Sequence, residues 1–77
     1  MIEKKTKNDL AEILIKHGYD HNDFNIIEFR SGPANIHGIV RLSYTISRIS
    51  NNISFDYDNH WVSNFIEDLE SLKYGNP

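Results

Sequence analysis

The chain has 77 residues, 39% of them apolar, with four Phe, four Tyr and one Trp. That is core enough for a single domain over residues 1–77 and leaves no room for a second. Its lack of cysteine excludes disulfide staples, thiolate nucleophiles and cysteine zinc sites, and a cytoplasmic location is expected. No apolar run approaches the ~20 residues that span a bilayer, and MIEKKTKNDL lacks the apolar stretch of a signal peptide, so no membrane contact is expected.

The net charge of −3 is unevenly spread. Residues 1–30 are nearly balanced, and residues 31–50 hold Arg41 and Arg48 without an acid. Residues 51–77 set Asp56, Asp58, Glu67, Asp68 and Glu70 against Lys73. An acidic end of this kind repels phosphate and attracts basic partners.

Thr6 followed by Asp9 resembles a capping box. Leu10, Ile13, Leu14 and His17 continue at helical spacing, with Ala11 and Ile15 widening the stripe, and Gly18 fits the position just past a helix end. The expected helix runs from about Lys7 to His17, and Tyr19 to Asp23 follows as a polar loop. Phe24 to Arg30 has strand composition with imperfect alternation, and Ser31-Gly32-Pro33-Ala34-Asn35 carries turn chemistry, with Gly38 closing the loop.

The clearest period of two comes next. Val40, Leu42, Tyr44 and Ile46 alternate with Arg41, Ser43, Thr45 and Ser47; Ile53, Phe55 and Tyr57 alternate with Ser54, Asp56 and Asp58. Opposed residues of an antiparallel pair share a face, so even positions of the first run must meet odd positions of the second. A two-residue loop at Ser50-Asn51 or Asn51-Asn52 meets that condition, and Asn tolerates the positive φ such loops need. Asp58 or Asn59 can cap a second helix, with Val62, Phe65, Ile66, Leu69 and Leu72 as its apolar stripe, Trp61 flanking it and Gly75 as its terminator.

The expected fold is therefore α+β, in the order α-β-β-β-α. It places a three-stranded antiparallel meander under two helices on one face and leaves Ser43, Thr45, Ser47, Ser54 and Asp56 on a solvated face. An edge strand of such a sheet can also pair with a second copy to make a homodimer.

His17 and His21, four residues apart with Asp20 and Asp23 nearby, have metal-ligand spacing only on a continuous helix, and Gly18 ends the helix between them. No metal and no cofactor are expected. Asp56, Asp58 and His60 resemble an acid–base cluster, but two carboxylates on an open strand face lack the pocket and the opposed pKa shifts of a catalytic pair. Enzymatic activity is not expected.

Two resemblances attach to this order of elements. With Gly32-Pro33 and His37 in the first strand connection, the chain resembles the double-stranded RNA-binding domain, in which that loop enters a minor groove. The lysine cluster that begins the last helix in that family is replaced here by Asn59-His60-Trp61-Val62-Ser63, so direct nucleic-acid binding is not expected without those phosphate contacts. In size, element order and acidic C-terminal third, the chain also resembles small phage-encoded anti-CRISPR proteins, which cover protein surfaces meant for DNA. That resemblance implies a non-enzymatic inhibitor of phage or mobile-element origin. Its partner would be a larger nucleic-acid-processing protein such as a CRISPR effector, bound through a basic surface. Asp56, Asp58, Glu67, Asp68 and Glu70, with Trp61 as an aromatic anchor, are the candidate contacts; Tyr19 and Tyr74 are further candidate anchors. An immunity or antitoxin protein would share this binding mode.

Overall fold

A computed structural model of the chain describes residues 4–31 and 41–77. Helix α1 spans Lys4–Lys16, a short 3-10 turn covers His21–Asp23, and strands β1 (Phe24–Ser31), β2 (Arg41–Arg48) and β3 (Ile53–Asp58) lead into helix α2 (Trp61–Glu70). The strands lie in the order β1-β2-β3 with both pairs antiparallel. This is the expected α-β-β-β-α meander. The expected Gly32-Pro33 loop, Gly38 and His37 fall outside the described residues.

Register follows from side-chain parity. Tyr44 opposes Tyr57 and Ile46 opposes Phe55, so even positions of β2 meet odd positions of β3 on the apolar face, as alternation requires. This is the register set by a turn centred on Ser50-Asn51. The ladder stops at Arg48↔Ile53, however, so the connection is four residues, Ile49 to Asn52, not two. Asn52 supplies the positive φ, at 60°.

The core lies between that face and the helices. Phe24, Ile26, Tyr44, Ile46 and Tyr57 of the sheet pack with Leu10 and Leu14 of α1, with Trp61, Phe65 and Leu69 of α2, and with Tyr19 and Tyr74. Phe65 is the hub: its ring lies 5.9 Å from Tyr57, 5.9 Å from Trp61, 5.5 Å from Tyr74 and 6.3 Å from Phe24. Three of these four contacts are edge-to-face and Trp61 is tilted, geometries that add to the ~1.5–3 kcal/mol of burying each large side chain.

Several helix details differ from expectation. α1 is already helical at Lys4, so Thr6 lies inside it and does not cap it; the lysines upstream are good helix formers. At the start of α2 the N-cap is His60, without a side-chain cap. Asp58 instead accepts the His60 N–H at 2.9 Å, an Asx-type turn that carries the chain from strand to helix. Val62 and Leu72 stay exposed, because α2 buries the narrower stripe Trp61, Phe65 and Leu69 and ends before Leu72. Its terminator is Leu72 itself, at φ 59°, while Gly75 sits farther along the tail at φ 87°.

Candidate functional site

The sheet has a second face. Parity sends Asn25, Ile27 and Phe29 of β1, Ser43, Thr45 and Ser47 of β2, and Ser54, Asp56 and Asp58 of β3 away from the helices. The registers line them up in three rows: Asn25–Ser47–Ser54, Ile27–Thr45–Asp56 and Phe29–Ser43–Asp58. The first row is polar throughout, and in the other two polarity rises from β1 to β3. Ile27 is 45% and Phe29 52% exposed, hydroxyls occupy the middle strand, and carboxylates end two of the rows. With strands about 4.8 Å apart, the apolar and acidic margins are about 10 Å apart. Thr45 Oγ1 donates to Asp56 Oδ1 at 2.7 Å, holding that carboxylate on the face.

The acidic residues named from sequence are thus divided between two layers. Asp56 and Asp58 lie on the open face, and Asp58 also carries the turn into α2. Glu67, Asp68 and Glu70 lie on the helical side. Glu67 is exposed. Glu70 lies 3.8 Å from His17 Nε2. Asp68, its side chain only 16% accessible, lies 3.4 Å from Lys73 Nζ and accepts the Tyr57 hydroxyl at 2.6 Å. The sheet separates the two groups, so they do not form one acidic surface. Trp61 is 5% exposed and packs on Tyr44 and Phe65, which corrects its reading as an interface anchor; Tyr19 and Tyr74 are buried as well. These rings fill a core that a chain this short has few other residues to build.

A buried polar chain runs behind the sheet. Tyr57 donates to Asp68, its hydroxyl lies 3.1 Å from that of Tyr74, and Tyr74 donates to the Ile46 carbonyl at 2.9 Å. Burial pushes the Tyr74 hydroxyl up to about 12. Burial, reinforced by the hydrogen bond to Asp68, pushes Tyr57 higher still. Both stay neutral at ordinary pH and serve as bridges.

Arg48 is the residue whose role sequence reasoning missed. Its guanidinium donates from Nε to Asp23 Oδ2 at 3.0 Å and from Nη1 to the carbonyls of Tyr74 and Asn76. It also lies over the rings of Tyr19 and Phe24. Asn51 Nδ2 donates to the same Tyr74 carbonyl, and Tyr19 donates to Gly75. Together these contacts fasten the C-terminal tail to the β2–β3 hairpin. A Cβ at Gly75 would press on Asn51 Nδ2 at 3.2 Å and Arg48 Nη1 at 3.4 Å, so glycine suits both its φ and its neighbours. Ser50 donates to Asp23 through its hydroxyl and its N–H. The Ser50 hydroxyl and then Arg48 hold the Asp23 carboxyl below its ordinary range.

Of the residues with metal-ligand spacing, His17, Asp20 and Asp23 are held by local contacts, and His21 is exposed. Asp20 accepts the Asn22 N–H, Asp23 binds Arg48, and His17 Nδ1 lies 2.8 Å from the Ile13 carbonyl. Among the described residues no three His, Cys, Asp or Glu side chains converge, and no helix is long and apolar enough to cross a membrane. Comparison with protein-family models, curated proteins and solved structures finds no match for the chain.

Proposed function

We propose that this protein is a non-enzymatic binding protein that docks through the open face of its sheet. Its partner would be a larger protein with a basic surface, of the kind that handles nucleic acid. The observation that carries this reading is a pair of rows: exposed Ile27 and Phe29 along one margin, hydroxyls between, Asp56 and Asp58 along the other. The apolar margin supplies area to bury on association, and the acidic margin supplies attraction and orientation toward Lys and Arg. A backbone paired on a sheet presents both margins with little ordering to be done on binding. An inhibitor of the anti-CRISPR type would act in this way, covering a surface meant for phosphate. Glu67 and Glu70, on the other layer, would add only long-range attraction.

The test is capture from bacterial lysate, with and without nuclease, using four baits. These are the wild type, Asp56→Lys, Ile27→Ser with Phe29→Ser, and Glu67→Lys with Glu70→Lys. The reading expects a stoichiometric protein that survives nuclease, is lost with the second and third baits and is kept by the fourth. Loss with the fourth bait alone would move the site to α2. Recovery of RNA that disappears with nuclease would favour the RNA-binding-domain reading instead.

A further inference from the structure

β1 and β3 are the two edges of the sheet, and they differ in how they could meet another strand. The Ile49 N–H donates to the Asp23 carbonyl at 2.7 Å, which makes 23/49 a hydrogen-bonded pair continuing the β1–β2 register. Alternation then directs the N–H and C=O of Asn25, Ile27 and Phe29 toward β2 and those of Ile26, Glu28 and Arg30 outward. The Glu28 side chain is only 5% accessible, yet the residue as a whole is intermediate in exposure. What Glu28 shows to solvent is therefore its main chain. α1 flanks the start of this edge, where Lys7, Leu10 and Ala11 line a groove with Phe24, Asn25 and Ile26; the edge from Glu28 to Arg30 lies beyond it. FNIIEFRS contains no Pro and no Lys, the residues that commonly block edge pairing.

We propose that this outer edge pairs with the same edge of a second copy, antiparallel about a two-fold axis at Phe29. Parity allows only pairings between residues of like parity, because a one-residue slip would turn each apolar set to the wrong face. Of the three short registers, pairing Glu28 with itself sets like charges opposite each other. Centring on Ile27 draws Phe24 and Ile26 into the seam, where α1 lies. Centring on Phe29 sets Glu28 of each copy opposite the second copy's Arg30 and brings the two Phe29 rings together in a non-hydrogen-bonded pair, the closer kind. Glu28 and Arg30 already attract within one chain, at 3.1 Å, and the dimer would make a ring of four alternating charges. β3 is unsuited to the same role, since Asp56 and Asp58 would face their own copies or each other. A pairing this short gives a weak, concentration-dependent dimer. It leaves the open face uncovered, widens it across the axis, and does not depend on what that face binds.

The register makes a specific prediction for paired charge variants. Glu28→Arg alone and Arg30→Glu alone each place like charges opposite each other and should remain monomeric. Their equimolar mixture restores both attractive pairs and should dimerise. Sedimentation velocity up to a concentration on the order of 1 mM, where weak contacts of this size associate, reads all three against the wild type. Cysteine substitution of this cysteine-free chain tests the same register without relying on those variants folding. Phe29→Cys should oxidise to a disulfide dimer, because the two positions face each other about 4.5 Å apart at Cα. Ile27→Cys should not, its copies being about 13 Å apart along the strands. A wild type that stays monomeric throughout, a mixture no more associated than its components, or linkage through Ile27→Cys in preference to Phe29→Cys would each overturn the proposal.

Discussion

Arg48 spends its charge inside the molecule. It binds the Asp23 carboxylate and two tail carbonyls while lying over two rings, so it holds three segments with one side chain. Arg48→Met keeps much of the apolar stem but leaves the Tyr74 carbonyl with Asn51 alone. A loss of about 1.5–3 kcal/mol is expected in urea unfolding, the range for hydrogen bonds to a charged group. The Asp23 carboxyl is held below its ordinary 3.8 by Ser50 and Arg48. A depressed folded-state value contributes stability above the unfolded value and loses it as pH falls through the folded one. Unfolding midpoints should therefore decline below about pH 4, and Asp23→Asn should flatten that decline. The tyrosines act at the other end of the scale. Tyr74 is raised to about 12 and Tyr57 is raised further; a raised folded-state value contributes stability below the unfolded one, near 10, and loses it as pH rises beyond. Thermal midpoints should fall progressively above pH 10, with tyrosinate absorbance rising in step. Tyr74→Phe should be less stable at neutral pH, through loss of the hydroxyl's hydrogen bonds to the Ile46 carbonyl and with Tyr57, and less sensitive to base.

Both helices end in the same hydrogen-bonded motif, with different residues at its demanding position. In α1, Gly18 donates to Ile15 and Tyr19 to Leu14; in α2, Leu72 donates to Leu69 and Lys73 to Asp68. Each is a paired 5→2 and 6→1 closure whose turning residue takes positive φ, 82° at Gly18 and 59° at Leu72. Glycine makes the first end legible in sequence, and the helix does stop there. The second end lies three residues before the glycine that signals a terminator, because leucine carries no such signal. Leu72, with a half-exposed side chain, gains little burial there to offset the roughly 1–2 kcal/mol of left-handed backbone. Leu72→Gly should therefore be neutral to stabilising, by up to about 1 kcal/mol after the extra freedom of glycine in the unfolded chain is counted. Gly18→Ala should cost about 1 kcal/mol by the same reasoning. For a domain of this size, differential scanning calorimetry would show each kcal/mol as a shift of about 4–8 °C. Element type is legible because β2 and β3 keep strict alternation and both helices keep a stripe. Caps are less legible, since the Asp58 and Thr6 signatures depend on where the helix begins, and upstream lysines and the strand's own length decide that.

At the scale of the molecule, the sheet divides what the sequence joins. Asp56 and Glu67 look like parts of one acidic third when counted along the chain, yet Tyr57 between Asp56 and Asp58 points toward Phe65, which puts those two acids on the far side of the sheet from α2. Alternation in β3 is enough to imply this division, since Asp56 and Asp58 have the parity opposite to Phe55 and Tyr57. The apolar half of the open face is legible only as a defect: β1 places Phe24 and Ile26 at even positions and Ile27 and Phe29 at odd ones, an imperfect alternation that is the mark of a strand with two faces to cover. Its edge position explains why the second set stays exposed. Stability and binding should therefore separate cleanly between the two faces. Ile27→Ser and Phe29→Ser remove side chains that are about half exposed, so each should change unfolding free energy by no more than about 1 kcal/mol, close to the surface range. Phe65→Ala, at the hub of the core, should cost about 3–5 kcal/mol, a large share of what a domain of this size has to lose. If the open face is the docking surface, the two serine variants should retain the wild-type circular dichroism spectrum and lose partner capture together. Asp56→Lys should weaken capture mainly through slower association, an effect that shrinks as salt is raised. Binding lost only in proportion to folded fraction would instead assign these residues to the fold alone.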